Sequence, residues 1–170
     1  MEAALRTVYE VVTGREVPFP RLDVTPVRGL SQVKEASLTL EDVKPEYREL
    51  EGFTVKVAVT SGLKGAKRLM KEVEAGTAPW HFIEVMGCPG GCIAGGGQPR
   101  PTTRTVREAR MRAIYAEDAG KPRRKSHENP AVMGLYEEFL GEPNGHVSHE
   151  LLHTRYTPRG RFNELTPKGR

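Results

Sequence analysis

Residues Phe53 to Thr60 alternate apolar and polar side chains and are rich in valine, which predicts a β-strand. Ser61-Gly62 then turns the chain. Leu63, Ala66, Leu69, Met70 and Val73 recur at helical spacing as far as about Ala75, and Gly76 closes that helix. Trp80 to Met86 reads as the next strand. Strand, helix and strand in this order form a βαβ unit, in which the strands lie parallel and the crossover is right-handed. This one feature commits the chain to an α/β fold. It also fixes where the segment after Met86 emerges: at the C-terminal end of a parallel strand, the edge at which open α/β sheets hold ligands.

Elements on either side extend that unit. Ala4, Leu5, Val8 and Val12 share one face of a first helix that stops at Thr13-Gly14, and no capping residue precedes it. Such a start suits either fraying or a helix continued from upstream sequence. Between Leu22 and Leu50, Val24, Val27, Leu30 and the alternation Ala36 to Leu40 predict a pair of short strands with a turn at Arg28-Gly29. Beyond Pro99 and Pro101, Thr105 is placed to cap a helix from Val106 to about Ala119, and Lys121 to Lys125 form a basic link. Asn129 with Pro130 starts a helix that ends at Gly141, and Ser148 caps a last helical turn. The expected architecture is a small, mainly parallel sheet with flanking helices and a helical C-terminal arm. The expected division is an α/β lobe over 1–105, the arm over 106–157, and a basic, disordered tail over 158–170.

The formal charge is +4 and the sequence pI near 9.2. Much of the excess lies in Arg123, Arg124 and Lys125 and in the tail residues Arg155, Arg159, Arg161, Lys168 and Arg170. No aromatic interleaving and no nucleic-acid motif accompany them, so they read as solvated surface or as an electrostatic docking patch. No stretch has the ~20 apolar residues needed to span a bilayer, and no signal peptide is visible. The expected location is the reducing cytoplasm.

The chemistry concentrates in Val85-Met86-Gly87-Cys88-Pro89-Gly90-Gly91-Cys92-Ile93-Ala94-Gly95-Gly96-Gly97-Gln98-Pro99, which holds both cysteines of the chain. Glycine lets a main chain pass close to a bulky object, and two soft thiolates suit an iron–sulfur or other thiophilic metal centre. A CxxxC spacing alone also suits a reduced or redox-active pair in a tight turn.

The whole string resembles the third of the three cysteine motifs of the iron-only ([FeFe]) hydrogenases, including its trailing Gly-Gly-Gly-Gln-Pro. Ser126-His127-Glu128-Asn129-Pro130, then Leu135 to Gly141, then Ser148 to Thr154 resemble that family's C-terminal tail in order and spacing. Met1 to Thr7 is similar to the helix after the family's second cysteine motif. The resemblance runs from residue 1 to about 157 and implies the second half of a catalytic domain.

By that resemblance Cys88 ligates one iron of a [4Fe-4S] cubane. Cys92 ligates another and bridges to a two-iron subsite, the pair of centres together forming the H-cluster. Met86 is implied to pack beside the two-iron subsite, where a core methionine at a strand end is the plainer alternative. Gly95, Gly96 and Gly97 are implied to let backbone amides approach the cubane, and Gly87 stands where the family often has alanine. The other two cubane ligands lie outside this chain, so it is expected to be inactive alone. The implied partners are a hydrogenase chain or segment bearing the other two cysteine motifs and a ferredoxin-like electron carrier. A large apolar face on the first helix and the sheet is expected for covering by the missing half. A related cluster-binding sensory or assembly protein is the alternative, and a thiol redox pair a third reading.

His149 and His153 stand four residues apart, a spacing that can bind zinc, but they read as packing histidines. His127 and Glu128 read as a local polar link, and His81 as a residue on a strand face.

Overall fold

The computed structural model describes residues 1–157, so the tail expected over 158–170 lies outside the described residues. The chain forms two compact units, Met1–Glu128 and a second beginning at Asn129.

In the first unit, helix α1 (Glu2–Thr13) is stopped by Gly14, whose φ of 73° lets its N–H return to the Glu10 carbonyl. Strand β1 (Val33–Thr39) pairs antiparallel with β2 (Thr54–Ser61), and helix α2 (Leu63–Glu74) leads to β3 (Phe82–Met86), which runs parallel to β2. The βαβ unit is therefore present. The sheet is mixed rather than mainly parallel, with order β1-β2-β3. The physical reason lies in the connections. The β1–β2 return carries only a 3-10 turn at Pro45–Leu50, whereas a parallel partner needs a long crossover such as α2.

The stretch before β1 also differs from the expected strand pair. Prolines at 20 and 26 open two 3-10 turns, Pro20–Leu22 and Thr25–Val27, and a ring at either position removes a ladder donor. Val24 and Val27 still reach the core, packing with Leu5, Ala36, Val57 and Val59 under a half-buried Met86. A second cluster joins Tyr9, Val12, Val17, Leu38 and Leu40. The buried face of α1 is thus Leu5, Tyr9 and Val12, while Val8 and Val11 face outward.

Helix α2 turns a different face inward from the one its pattern suggests. Leu69 is fully buried, but Leu63, Met70 and Val73 are exposed. Gly65 sets this orientation: a Cβ there would lie 2.0 Å from Thr60 Oγ1. Phe82 and Val85 on β3 are exposed as well.

Helix α3 (Arg104–Gly120) is capped by Thr103, whose side chain accepts from the Val106 N–H, two residues earlier than expected. Two residues of the basic link after it, Arg124 and Lys125, are not solvated surface, while Lys121 and Arg123 stay exposed. Arg124 meets Asp23 and Asp118 at 2.9 and 2.5 Å, and Lys125 meets Glu10 at 2.7 Å and Glu128 at 2.6 Å. Asp118 also binds Arg6 at 3.0 Å and Arg28 at 3.2 Å. This network ties α3 and the link to α1 and to the turns before β1.

In the second unit, Asn129 accepts from the Ala131 N–H and starts α4 (Pro130–Leu135), which runs on as a π-helical turn over Tyr136–Leu140. Helix α5 (His146–Leu152) follows. Ser148 lies inside α5 rather than capping it, and its hydroxyl donates to the Glu142 carbonyl at 2.6 Å.

Candidate metal centre

Met86 ends β3, so the loop Gly87–Pro99 leaves the sheet at the C-terminal end of a strand that is parallel to its neighbour. The Met86 carbonyl accepts from the Gly62 N–H at 2.8 Å, which anchors the loop's root to the start of α2. The Gly90 N–H donates to Ser61 Oγ at 3.1 Å, a second tether. The loop folds back on itself through Gly91 N–H to Cys88 carbonyl at 2.9 Å and Ala94 N–H to Gly91 carbonyl at 3.1 Å. Gly90 and Gly91 sit at φ of 86° and 74°, a region that side-chain-bearing residues rarely enter.

Cys88 and Cys92 are both free thiols and both exposed. Close backbone approach is built in around them. A Cβ on Gly95 would stand 3.0 Å from Cys88 Sγ, and one on Gly91 would stand 2.9 Å from Met86 Sδ. Gly96 and Gly97 meet open space. The structure thus brings Met86, Cys88, Gly91 and Gly95 into one neighbourhood. The Cys88 and Cys92 thiols are soft donors, and the main chain clears bulk from beside Cys88 Sγ and Met86 Sδ, a chemistry that fits an iron–sulfur group completed by further ligands.

A cavity of about 160 Å³ behind the loop is lined by Lys34, Met86, Gly91, Cys92, Met111 and Tyr115 among others. Burial pushes the Lys34 ammonium pKa down, with Glu84 and Glu2 opposing in part, and its Nζ donates to the Gly29 carbonyl at 3.1 Å. Tyr115 is held by the Gly29 N–H at 3.1 Å and by the Arg28 guanidinium 4.3 Å over its ring. From α3, Arg110 donates to the carbonyls of Ile93 and Pro99 at 2.9 and 2.6 Å. Sequence reasoning missed Lys34 and the α3 residues. Lys34 stands in an ordinary alternating strand, and Arg110 recognises carbonyls, which every residue carries.

The histidines fall elsewhere. His149 and His153 stack with centroids 4.4 Å apart and planes 15° from parallel. The segment reads His-Glu-Leu-Leu-His, a zinc-protease spacing, but stacked rings lie side by side rather than converging on one point. Among the described residues, the three-ligand group is Glu10, His127 and Glu128. The Lys125 ammonium already sits between its two carboxylates, at 2.7 and 2.6 Å. His127 Nδ1 pairs with Thr7 Oγ1 at 3.2 Å, and His81 Nδ1 accepts from the Lys56 N–H at 2.9 Å.

Two protein families match. Residues 1–96 match the family described as iron only hydrogenase large subunit, C-terminal domain, and residues 104–159 match iron hydrogenase small subunit. The NADP-reducing hydrogenase subunit HndD of Solidesulfovibrio fructosivorans is 46% identical over 163 residues, covering 95% of this chain and 26% of its own length. A variant of the apo [FeFe]-hydrogenase of Chlamydomonas reinhardtii superposes with a TM-score of 0.73 at 42% identity, covering 92% of this chain and 43% of that one. A probable cytosolic Fe-S cluster assembly factor of Drosophila virilis is 39% identical over 113 residues, 64% of this chain and 23% of its own. The chain spans about a quarter of the length of the curated relatives it matches. No helix among the described residues is long and apolar enough to cross a membrane.

Proposed function

This chain belongs to the iron-only hydrogenase large-subunit family, and on that footing we propose that it forms one half of a hydrogenase catalytic centre. Cys88 and Cys92 would hold two of the four cysteine positions of a [4Fe-4S] cubane, and Cys92 would also be the residue that links it to a two-iron subsite. A chain or segment bearing two further cysteine motifs supplies the rest. The observation that carries this reading is the pair of exposed free thiols on a loop whose Gly95 backbone passes so close to Cys88 that a Cβ would stand 3.0 Å from its sulfur.

When bound, such a centre relays electrons and interconverts protons and electrons with dihydrogen. The chain's own contribution is ligation, shape and electrostatics. Met86 presents its thioether beside the loop, and Gly95, Gly96 and Gly97 keep side chains away, which would leave the Gly96 and Gly97 amide N–H groups room to face a bound cluster. Exposed Val8, Val11, Phe82 and Val85 offer apolar surface for the missing half to cover. Alone, the chain turns over no hydrogen. The complex works in the cytoplasm with a ferredoxin-like carrier.

A second reading, a cluster-assembly protein without hydrogen turnover, is favoured by the resemblance to the assembly factor. Anaerobic purification of the tagged full chain decides between the two. Co-purifying polypeptides are sequenced, and iron, sulfide and hydrogen-dependent reduction of a viologen dye are measured. A stoichiometric partner with two cysteine motifs and hydrogen-dependent dye reduction supports the hydrogenase. Bound iron and sulfide with no dye reduction supports the assembly reading. A chain free of iron overturns both.

A further inference from the structure

We propose that Arg110 is a positioning residue for the cysteine loop, bracing from α3 the span between Cys92 and Pro99. Its Nη1 donates to the carbonyl of Ile93, the residue after Cys92, at 2.9 Å, and its Nη2 to the carbonyl of Pro99 at 2.6 Å. These two carbonyls stand on either side of Gly95-Gly96-Gly97. Within that run the loop's own hydrogen bonds are long: Gly95 N–H to Cys92 carbonyl at 3.4 Å and Gln98 N–H to Gly95 carbonyl at 3.3 Å. Three consecutive glycines lose more freedom on ordering than any other residues would, so the loop needs an external restraint to keep one shape. A guanidinium meets that need because its donors are fixed in a planar fork that grips two acceptors at once.

The brace has a second point of contact. Arg107, one turn earlier on α3, lies against Gly90, where a Cβ would stand 3.3 Å from its Cδ. Helix α3 thus touches the loop before Cys92 and after it. The family boundaries give the arrangement a meaning. Residues up to 96 match the large subunit, and those from 104 match the small subunit. The segment matching the small subunit therefore carries the restraint on the cysteines of the segment matching the large subunit. Arg110 also holds its positive charge against the carbonyl of Ile93, next in sequence to Cys92, and a cation near a cluster bound there would raise its reduction potential by favouring the more negative, reduced state.

The loop brace stands on geometry alone, and only its effect on potential rests on the proposed metal centre. The test uses Arg110→Met, which removes the fork and the charge, and Arg110→Lys, which keeps the charge but replaces the fork with a single point donor. Amide hydrogen exchange in the full chain is followed at Gly95 to Gln98, with Val57 to Val59 of β2 as the internal control. Roughly tenfold faster loop exchange is expected in Arg110→Met, the scale of losing a charge-assisted hydrogen bond. A smaller increase is expected in Arg110→Lys, with β2 unchanged in both. If Arg110→Met loosens β2 too, Arg110→Lys decides, and loop-selective exchange there supports the brace. Loop exchange equal to wild type in both variants, or a uniform rise across loop and β2 in Arg110→Lys, overturns it. In the anaerobic complex the cluster's reduction potential is expected to fall in Arg110→Met and hold in Arg110→Lys. A wild-type complex that takes up no iron would sink the metal-centre reading, while the exchange result still judges the brace.

Discussion

Replacing Asp118 with asparagine tests the ion network that fastens α3 to α1. Asp118 faces three guanidinium groups: Arg6 at 3.0 and 3.1 Å, Arg28 at 3.2 Å and Arg124 at 2.5 Å. Arg6 is buried to 3% exposure, so its charge has little access to water once its partner is neutral. Removing one member of a buried pair costs about 3–5 kcal/mol. Two facts pull the expectation to the lower end. Asp118 itself is 29% exposed, and each arginine keeps another carboxylate, Glu2 for Arg6 and Asp23 for Arg28 and Arg124. The expected loss is therefore about 3 kcal/mol, which for a chain of this size lowers Tm by roughly 6–12 °C. Urea unfolding of the full chain, monitored by circular dichroism, reads the same quantity as a shift in midpoint at constant slope. Partly buried charges are weakly screened, so the loss should persist at high salt. A change below about 0.5 kcal/mol, or one that vanishes in salt, would mark these contacts as surface ion pairs and refute the argument.

Other expectations follow from the same contacts. Burial raises the pKa of Asp118, but the Arg6 and Arg124 hydrogen bonds outweigh it and hold the carboxyl well below the usual range, and Asp23 and Glu10 are also lowered. Groups depressed on folding add stability that is complete above their unfolded pKa, so stability should fall only below about pH 4. Lys125 is raised above the usual lysine value because Glu10, Glu128 and Glu16 outweigh its burial, so its contribution holds below about pH 10 and is lost above it. Lys34, lowered by burial, works the other way: its penalty is lifted as pH rises toward about 10, before the Lys125 loss sets in. A urea midpoint that drops between pH 5 and 8 would contradict this. Gly65→Ala should destabilise by about 2–3 kcal/mol, because its Cβ would meet Thr60 Oγ1 at 2.0 Å in a packed interior. An unchanged melting temperature would show that α2 can shift away from β2 at little cost.

The fold was legible where its signal is local. Alternation in Phe53 to Thr60 and helical spacing after Gly62 are properties of neighbouring residues, and β2, α2 and β3 appear where they predict. Orientation was not legible. Leu63, Met70 and Val73 look like an inner face, but what decides the face of α2 is the fit of Gly65 over Thr60, a contact between two elements. The same reason hides the true face of α1, where Tyr9 rather than Val8 turns inward. Arg124 and Lys125 read as surface charges because what buries them is Asp23 and Glu10, which stand far away in sequence and add to the nearby Asp118 and Glu128. The candidate site divides along the same line. Cys88, Cys92 and the glycines are contiguous and stand out in the string. Lys34 lines the cavity behind the loop and Arg110 bonds the loop's carbonyls, each from another element, and no local pattern marks them.

Cys88 and Cys92 are proposed as metal ligands, with Cys92 the link between two centres. The most direct test is electron paramagnetic resonance with hydrogen turnover on the anaerobically purified complex, comparing wild type with Cys92→Ser. The account predicts a hydrogen-responsive cluster signal in wild type. In Cys92→Ser it predicts loss of that signal and of turnover while the complex still assembles. A Cys92→Ser complex with the wild-type signal and undiminished turnover would contradict it.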